Sequence, residues 1–370
     1  MPRLPVAAPD LGGNEERYVL DAIRSSWISS TGPYVDRFER EFAAFAGTRT
    51  AISVANGTVA LHLALLGLDV GPGDEVIVPS LTYIATANAV RYVGAEPVFV
   101  DIDPAPWCLD PTAVEAAVTP RTRGIVAVHV YGHPADMDAI NLVASRHGLW
   151  VVEDAAEAHG ATYRGRPAGS LGTVGTFSFY GNKIITSGEG GALTVNDHEL
   201  ENRMRLLRGQ GMDPKRRYFF PVVGYNYRLT NVACAILCAQ LERVHEFIAR
   251  RAAIAETYAR ELGRVPGIDL QPRAEYAVPA TWLMSVQVRA DEYGLSRDAL
   301  AEALAAEDIE TRPFFHPIHR LPPYAGRPGS SRELPVTERV AARGLNLPTA
   351  VSMSNEDVER VVEAIARAPR

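Results

Sequence analysis

Cysteine is scarce in this sequence: Cys108, Cys234 and Cys238 are the only three. So few thiols cannot build a disulfide framework, and no third and fourth ligand stand near Cys234 and Cys238 to complete a zinc site. We expect both to be small core residues. The sequence also shows no N-terminal signal peptide and no apolar run of about 18 residues, the patterns typical of exported and membrane-spanning chains. A reducing cytoplasm is the predicted compartment.

A block of one charge is equally absent. The 37 basic and 44 acidic residues are mixed along the chain and leave a formal charge of −7, so binding to nucleic acid or an anionic membrane is not expected. There is no internal repeat, and the Pro- and Gly-rich run Pro317–Gly329 is predicted to be a surface loop. What remains is a chain of 370 residues, 47% of them hydrophobic, enough for one large core and a smaller one.

Short apolar runs alternate with helical patterns from residue 48 onward. The runs are TAISVAN, DEVIVPS, EPVFVDI, GIVAVHVYG, LWVVED, TFSFY and GALTVN. Continuous Val- and Ile-rich strands are typical of a sheet buried on both faces, so we predict an α/β fold with a mostly parallel central sheet covered by helices. Ligands bind such sheets at the carboxyl ends of the strands. Four polar residues are predicted there: Asn56, Ser80, Asp154 and Tyr180.

The chain divides into two predicted regions. A long helical pattern over Thr230–Leu262 closes the first, and the second has its own strand, WLMSVQVR, and its own helices. Ser354, with Asp357 three residues further on, is typical of a capping box at a helix start. We therefore predict a large α/β domain over residues 1–245 and a smaller α+β domain over residues 246–370.

The stretch FSFYGNKIITSGEGG places Lys183 between an aromatic run and a cluster of small residues. In a partly dry pocket the pKa of a lysine amine falls, and the amine can then condense with an aldehyde to form a Schiff base. The alternative, a surface lysine on a loop, is the usual role of an arbitrary lysine. The neighbouring motifs favour the chemical role.

Those neighbours lie in order along the predicted sheet. Asp154 ends a strand and could pair with a heterocyclic nitrogen, as the pyridinium of pyridoxal phosphate requires. Asn56-Gly57-Thr58 stands where a strand turns into a helix, so its N–H groups could hold a phosphate. Ser178 could add a hydroxyl, and Tyr83 offers a flat face for stacking on a pyridine ring. Each signal alone is more often structural; their order is the evidence.

Eight motifs together carry a family resemblance that covers nearly the whole chain. The sequence resembles the DegT/DnrJ/EryC1/StrS sugar aminotransferases, which are fold-type I pyridoxal-phosphate enzymes. Motifs of this length and order are highly specific. They are WISSTGPYV, NGTVALHLAL, PSLTYIATANAV, EDAAEAHGATYRG, FSFYGNKIITSGEGG, RRYFFPVVGYNYRLTN, RPFFHPIH and LNLPT.

The resemblance implies that the large domain binds pyridoxal 5′-phosphate. Lys183 matches the lysine that forms the Schiff base with this cofactor, and Asp154 matches the carboxylate beneath the pyridine nitrogen. The phosphate ligands of the family match Gly57, Thr58 and Ser178. Lys183 also separates the chain from related dehydratases, which carry histidine at that position.

Three more cofactor-binding positions follow from the resemblance. Tyr83 matches the aromatic residue that stacks on the cofactor ring. Glu157 stands near the phenolic oxygen, where much of the family has glutamine and the branch that this chain most resembles has glutamate. Asn226 matches an asparagine that reaches the phosphate from the partner subunit. A homodimer with shared active sites is therefore expected.

The implied reaction moves an amino group from L-glutamate to a nucleotide-linked 4-keto sugar. A 3-amino-sugar or aminocyclitol transaminase stays open as the alternative. Arg228 is a candidate for binding the donor carboxylate or the sugar diphosphate; the loop Lys215–Arg217 is another candidate, although adjacent loop cations are more often solvated. Contact with the sugar and simple packing both stay open for His316.

No metal is expected. His129 and His133 flank a strand end, but their spacing is unconvincing for a metal and favours a structural role. The sequence argues against two other function classes. A nucleotide-binding dehydrogenase would need a GxGxxG turn after the first strand, which is absent. A noncatalytic sensor on the same fold would need a fused DNA-binding segment or a lost lysine, and the sequence has neither.

Overall fold

The structure, a computed structural model, describes residues 3–368, which form thirteen α-helices and fourteen β-strands. The helices are α1 (Glu15–Arg24), α2 (Pro33–Ala46), α3 (Gly57–Gly67), α4 (Ala85–Tyr92), α5 (Pro111–Glu115), α6 (Met137–His147), α7 (His198–Arg208), α8 (Asn231–Glu242), α9 (Val244–Leu262), α10 (Ala290–Tyr293), α11 (Arg297–Ala306), α12 (Pro335–Arg343) and α13 (Asn355–Arg367). The strands are β1 (Thr50–Val54), β2 (Glu75–Pro79), β3 (Glu96–Val100), β4 (Thr122–Val128), β5 (Trp150–Asp154), β6 (Thr162–Tyr163), β7 (Arg166–Pro167), β8 (Val174–Ser178), β9 (Gly191–Val195), β10 (Ile268–Leu270), β11 (Ala277–Val278), β12 (Met284–Val288), β13 (Arg312–Pro313) and β14 (Gly344–Leu347).

The central sheet has seven strands in the order β1-β9-β8-β5-β4-β2-β3. Its middle strands pair in parallel, with Val128 opposite Asp154 between β4 and β5, whereas β9 is antiparallel to both β1 and β8. The predicted fold class, a mostly parallel α/β sheet, is thus confirmed, with one reversed strand. Because β1 and β8 both oppose β9, six strands end at the same edge of the sheet.

Two hydrophobic layers cover this sheet, as expected for strands buried on both faces. One layer includes α2 and α8, whose side chains pack with the rings of Phe177 and Phe179 on and after β8. Phe42 contacts both rings edge to face, at centroid distances of 4.9 and 5.2 Å. The other layer includes α3, α4 and α7. Cys234 and Cys238 are buried core residues, as predicted, and Cys108 is buried as well; none of the three forms a disulfide.

A second, antiparallel sheet of order β10-β12-β14-β13 forms the C-terminal part. It packs with α9, α11 and α13 around a separate core that contains Tyr258 and Val286. The capping box predicted at α13 is confirmed, since Asp357 N–H donates to Ser354 Oγ and Ser354 N–H donates to Asp357 Oδ2. A three-stranded sheet, β11-β6-β7, joins the two parts.

The single helix predicted over Thr230–Leu262 is wrong in one detail, because the structure has two helices that meet at Arg243. Arg243 leaves the helical conformation and forms ion pairs with Asp10 and Glu246. An apolar pattern that continues on both sides of one residue does not reveal such a break. Early residues of α9 pack in the large core and later ones in the C-terminal core. The domain boundary near residue 245 stays a prediction.

The segment Pro317–Gly329 is an irregular surface segment, as its composition predicted, but it is attached to the core by a few buried side chains. Ile318 and Tyr324 are buried in the layer that contains α3 and α4, and Tyr324 Oη donates to Asn88 Oδ1 at 2.6 Å. Proline and glycine here form tight turns that fit against β3. Within residues 3–368, no helix is long and apolar enough to cross a membrane, and no cluster of three potential ligands could hold a metal ion.

Candidate active site

A cavity of about 460 Å³ opens at the carboxyl edge of the central sheet. The ends of β1, β5 and β8 form its floor, and residues of β13 and β14 from the C-terminal sheet close one side. Clefts at this edge are the usual ligand sites of α/β sheets, and the volume suits a cofactor-sized molecule. Of the four residues predicted at strand ends, Asn56, Asp154 and Tyr180 line this cavity, whereas Ser80 is buried beside His319.

Asp154 is the last residue of β5 and is 7% exposed on the cavity floor. Thr86 Oγ1–H donates to its Oδ2 at 2.8 Å, and Ala156 N–H donates to Oδ1 at 3.3 Å. Burial raises the pKa of the Asp154 carboxyl, although these hydrogen bonds and Lys183 act in the opposite direction. A buried carboxylate of this kind requires a cationic partner to be stable in its charged form.

Lys183 lies in the loop between β8 and β9, in a turn where its N–H donates to the carbonyl of Tyr180 at 2.9 Å. Its side chain enters the same cavity, with Nζ 3.6 Å from Glu157 Oε1. Burial lowers the pKa of the Lys183 amine, while Glu157 and Asp154 raise it. The amine is therefore held among two carboxylates in a partly dry environment, as a Schiff-base lysine requires.

Glu157 stands in the segment after β5, between Lys183 and the backbone of Tyr131. Tyr131 N–H donates to Glu157 Oε2 at 2.7 Å. Burial raises the pKa of this carboxyl most, and the Lys183 ammonium lowers it. Glu157 is thus fixed at one oxygen by the main chain and faces the lysine with the other.

The start of α3 forms a cradle next to these groups. Asn56 caps the helix, because its Oδ1 accepts from Val59 N–H at 3.0 Å, and Gly57 and Thr58 line the cavity. A Cβ on Gly57 would lie only 2.7 Å from Cβ of Ser178, so a side chain at position 57 would fill the space between α3 and β8. The bare N–H groups at this helix start, with the Ser178 hydroxyl, are suited to a phosphate.

Pyridoxal phosphate fits this arrangement on three grounds. Asp154 offers the buried carboxylate that a pyridinium nitrogen needs, the α3 cradle suits the phosphate, and Lys183 supplies the amine for the aldehyde. Tyr83 lines the cavity with 60% of its surface exposed, and its ring centroid lies 5.9 Å from that of Phe315. Its face is free to stack on a ring.

Several predicted substrate or cofactor residues do not line the cavity of their own chain. Asn226 is exposed, and Arg228 Nη2–H donates to its Oδ1 at 3.2 Å. His316 is exposed, as is the loop Lys215–Arg217, where Arg216 pairs with Asp213. Their roles in binding stay predictions.

The two histidines assigned a structural role are buried away from the cavity lining. Ala135 N–H donates to His129 Nδ1 at 3.1 Å, and the opposite ring nitrogen lies 2.9 Å from Glu153 Oε2. Glu153 also accepts three backbone N–H groups between Gly169 and Gly172. His133 bonds the main chain at both nitrogens, and burial lowers its pKa to about 4. These contacts agree with the structural interpretation.

Sequence reasoning missed four residues at the cavity. Trp282 and Arg312 come from the C-terminal region and line it, Thr86 binds Asp154, and Tyr131 binds Glu157. Thr86 and Arg312 stand inside motifs that carried the family resemblance, which was the available signal. Nothing in the local pattern around Trp282 distinguishes it from a core residue of a strand.

The sheet edge, the buried Asp154 and the amine of Lys183 thus meet in one cavity whose residues fit pyridoxal phosphate. Comparison with known proteins gives the class more narrowly: residues 9–366 match the DegT/DnrJ/EryC1/StrS aminotransferase family. The chain belongs to this family and is a pyridoxal-phosphate-dependent aminotransferase.

Similar proteins span the full length of the chain. GDP-perosamine synthase of Caulobacter vibrioides is 51% identical over 99% of this chain and 98% of the relative, and that of Escherichia coli O157:H7 is 43% identical over the same shares. Among solved structures, Streptomyces venezuelae DesV in complex with a ketimine intermediate has a TM-score of 0.93 at 40% identity and covers 100% of both chains. The structure of 3-amino-5-hydroxybenzoic acid synthase has a TM-score of 0.92 at 34% identity, over 99% of this chain and 98% of that one.

Proposed function

We propose that this protein transfers an amino group from L-glutamate to GDP-4-keto-6-deoxy-D-mannose and so forms GDP-perosamine. The observation that carries the substrate assignment is the full-length similarity to proteins named GDP-perosamine synthase. Glu157 supports it, because the glutamate expected for that branch stands at the lysine in the cavity.

Lys183 is proposed to carry the cofactor and then to act as base and acid. Pyridoxal phosphate, when bound, supplies the electron sink for the bond that breaks at the α-carbon of the donor. With the donor bound, Nζ of Lys183 would be free to accept the proton from that α-carbon. The lowered pKa of Lys183, caused by burial, favours a neutral amine at that moment.

The other lining residues are assigned to holding the cofactor. Asp154 would pair with the pyridine nitrogen, with Thr86 fixing its orientation. Glu157 would face the phenolic oxygen, and Tyr83 would cover the ring. The phosphate would be held by Gly57, Thr58 and Ser178, which converge on the N-terminus of α3.

A homodimer with shared sites is proposed from the surface around the cavity. Exposed apolar side chains are concentrated in the segment after the loop Lys215–Arg217, where Tyr218 is 73% and Val223 is 89% exposed. Trp27 is also exposed, and its carbonyl accepts from Asn231, which follows this segment. Apolar surface of this extent is typical of a protein–protein interface. A partner would bring Asn226 to the phosphate.

The same arrangement would make Arg228 and His316 available to the substrates. Arg228 lies beside Asn226, and a guanidinium group at this position would pair with a carboxylate or a diphosphate. His316 would contact the sugar. We place the protein in the cytoplasm, where nucleotide sugars are made.

A panel of GDP-, dTDP- and UDP-linked 4-keto sugars together with a dTDP-linked 3-keto sugar, each supplied with L-glutamate, tests the proposal. The GDP-linked sugar should be aminated with the highest kcat/KM. The alternative is a 3-amino-sugar transaminase, favoured by the 41% identity to dTDP-3-amino-3,4,6-trideoxy-alpha-D-glucose transaminase of Streptomyces venezuelae. Preference for a dTDP-linked 3-keto sugar would establish that alternative and refute the perosamine assignment.

A further inference from the structure

Trp282 forms one wall of the cavity beside Lys183. Nζ of Lys183 lies 3.9 Å from the centroid of the indole ring, well within the range of a cation–π contact. Trp282 is only 4% exposed. A contact shielded from water in this way stabilises an ammonium group more than an exposed one does.

One hydrogen bond fixes the indole of Trp282, and another fixes the main chain of the same residue. Its Nε1–H donates to the carbonyl of Asn182 at 2.7 Å, and the carbonyl of Trp282 accepts from Arg251 Nη1 at 2.6 Å. Arg251 lies on α9 and is buried. Asn182 directly precedes Lys183. The side chain of Trp282 therefore contacts both the amine of Lys183 and the peptide group before that residue.

Glu157 completes the surroundings of the amine. Its Oε1 is 3.6 Å from Nζ, and its other oxygen is fixed by Tyr131 N–H. The ring of Tyr131 is nearly parallel to that of Trp282, at an angle of 11° and a centroid distance of 6.5 Å. The amine of Lys183 therefore faces the indole of Trp282 and the carboxylate of Glu157, and hydrogen bonds to the main chain hold both of these groups in place.

We propose that Trp282 is a positioning residue that receives the Lys183 ammonium formed when this amine, not bonded to the cofactor, has accepted a proton. The inference rests on the proposed role of Lys183. As base and acid, Nζ of Lys183 would have to stay near the reacting carbon and hold a proton until it returns it. The indole face and Glu157 provide a largely buried place for it.

Other charges act on Lys183 as well. Burial has the largest effect and lowers the pKa of Lys183, and Arg312 of β13 lowers it as well. Glu157, which follows β5, and Asp154, at the end of β5, raise it. His159 is also buried nearby, and burial and the charge of Lys183 lower its pKa to about 3. Because these groups stay in place when Trp282 is replaced, loss of the indole should lower the pKa of Lys183 further.

The chain has only two lysines, which permits a direct test. The full-length protein, freed of cofactor, is labelled with acetic anhydride across a range of pH, and the Lys183 peptide is quantified by mass spectrometry against the exposed Lys215. In Trp282→Leu the pKa of Lys183 should fall by about one unit, so that its labelling below that pKa rises about tenfold. Trp282→Phe keeps a weaker aromatic face and should shift the pKa in the same direction by less.

Trp150→Leu is the matched control, since Trp150 begins β5 at the opposite end from Asp154; it should leave the titration of Lys183 unchanged. Recovery of cofactor binding after reconstitution verifies the fold of each variant. An unchanged or raised pKa of Lys183 in the Trp282 variants would overturn the proposal. If Trp282→Leu does not fold, the pKa of Lys183 in Trp282→Phe is the deciding measurement. No sugar is used, so the result is independent of which substrate the enzyme takes.

Discussion

Thr86 and Asp154 are joined by a hydrogen bond between two buried side chains, with Oγ1 2.8 Å from Oδ2. Thr86 lies on α4 and Asp154 ends β5, so the bond links a helix to the strand that carries the carboxylate. The bond fixes the orientation of the Asp154 carboxylate, which could otherwise rotate on the cavity floor. The charge of Asp154 and its orientation can therefore be tested separately.

Asp154→Asn should keep the shape of the site and lose the charge that keeps the pyridine nitrogen protonated. We expect kcat to fall on the order of 100-fold or more, because the electrostatic term is lost from a buried site. Steady-state kinetics with saturating cofactor measure this. Turnover equal to that of the wild type would assign Asp154 a structural role only.

Thr86→Val removes one hydrogen bond to Asp154 at nearly constant volume, and kcat should fall about tenfold. Thr82→Val is the matched control, since the Thr82 hydroxyl contacts Thr86 at 3.2 Å and is not bonded to the carboxylate. Its kcat should change far less. Equal losses in both variants would mean that Thr86 contributes through packing and not through Asp154.

His159 gives a pH dependence of stability. Burial lowers its pKa to about 3, so between the usual pKa of histidine and that value the unfolded chain binds a proton that the folded chain does not. Stability is therefore lost as the pH falls below about 6.5. Between pH 7.5 and 5.5 this residue should cost about 1.4 kcal/mol of unfolding free energy.

Urea unfolding of the wild type and of His159→Leu at the two pH values measures this cost. The variant should lose about 1.4 kcal/mol less than the wild type on acidification, while His133, whose pKa is also lowered, continues to contribute in both. Identical pH dependence in the two proteins would show that His159 is protonated in the folded state.

The sequence revealed the elements of this fold better than their arrangement. Val- and Ile-rich runs mark buried strands, and the capping residues Ser354 and Asp357 mark a helix start, because both signals are local. The reversed direction of β9 and the break at Arg243 leave the apolar period unchanged, so neither was predicted. In the Pro317–Gly329 segment, composition indicated the exposed turns correctly but not the burial of Ile318 and Tyr324, which depends on the distant surface that they contact.

In the candidate site, too, residues with a local signal were predicted and contacts between distant parts of the chain were not. Lys183 and Asp154 were predicted because each stands in a motif of its own, and the fold brings them into one cavity. Trp282 is 99 residues from Lys183 in the chain and lies just before β12 of the other sheet, so its contact with the amine has no local signature. Contacts of this kind arise from the packing of the C-terminal sheet against the cavity.

Reduction with borohydride should fix the cofactor on Lys183. Only Lys215 competes among the side chains, and it is exposed on a loop where nothing lowers its hydration. Peptide mapping by mass spectrometry should therefore find the label on the peptide that contains residue 183. A label on the Lys215 peptide would refute the assignment of the reactive lysine.

Subunit exchange tests the proposed sharing of active sites. Lys183→Ala and Asn226→Ala are mixed; if Asn226 acts on the partner's site, one site of each heterodimer carries both changes and the other carries neither. Activity should return to about half that of a wild-type dimer for each heterodimer. Verified exchange without a return of activity would mean that Asn226 serves its own chain or has no role at the phosphate.

The central claim is that the amine of Lys183 mediates transfer of nitrogen from glutamate to a 4-keto sugar nucleotide. The most direct measurement incubates the enzyme with ¹⁵N-labelled L-glutamate and GDP-4-keto-6-deoxy-D-mannose and determines the mass of the sugar product. The wild type should give a GDP-linked amino sugar that contains ¹⁵N, whereas Lys183→Ala, folded as judged by circular dichroism, should give none. Labelled product from the Lys183→Ala variant, or none from the wild type loaded with cofactor, would contradict the account.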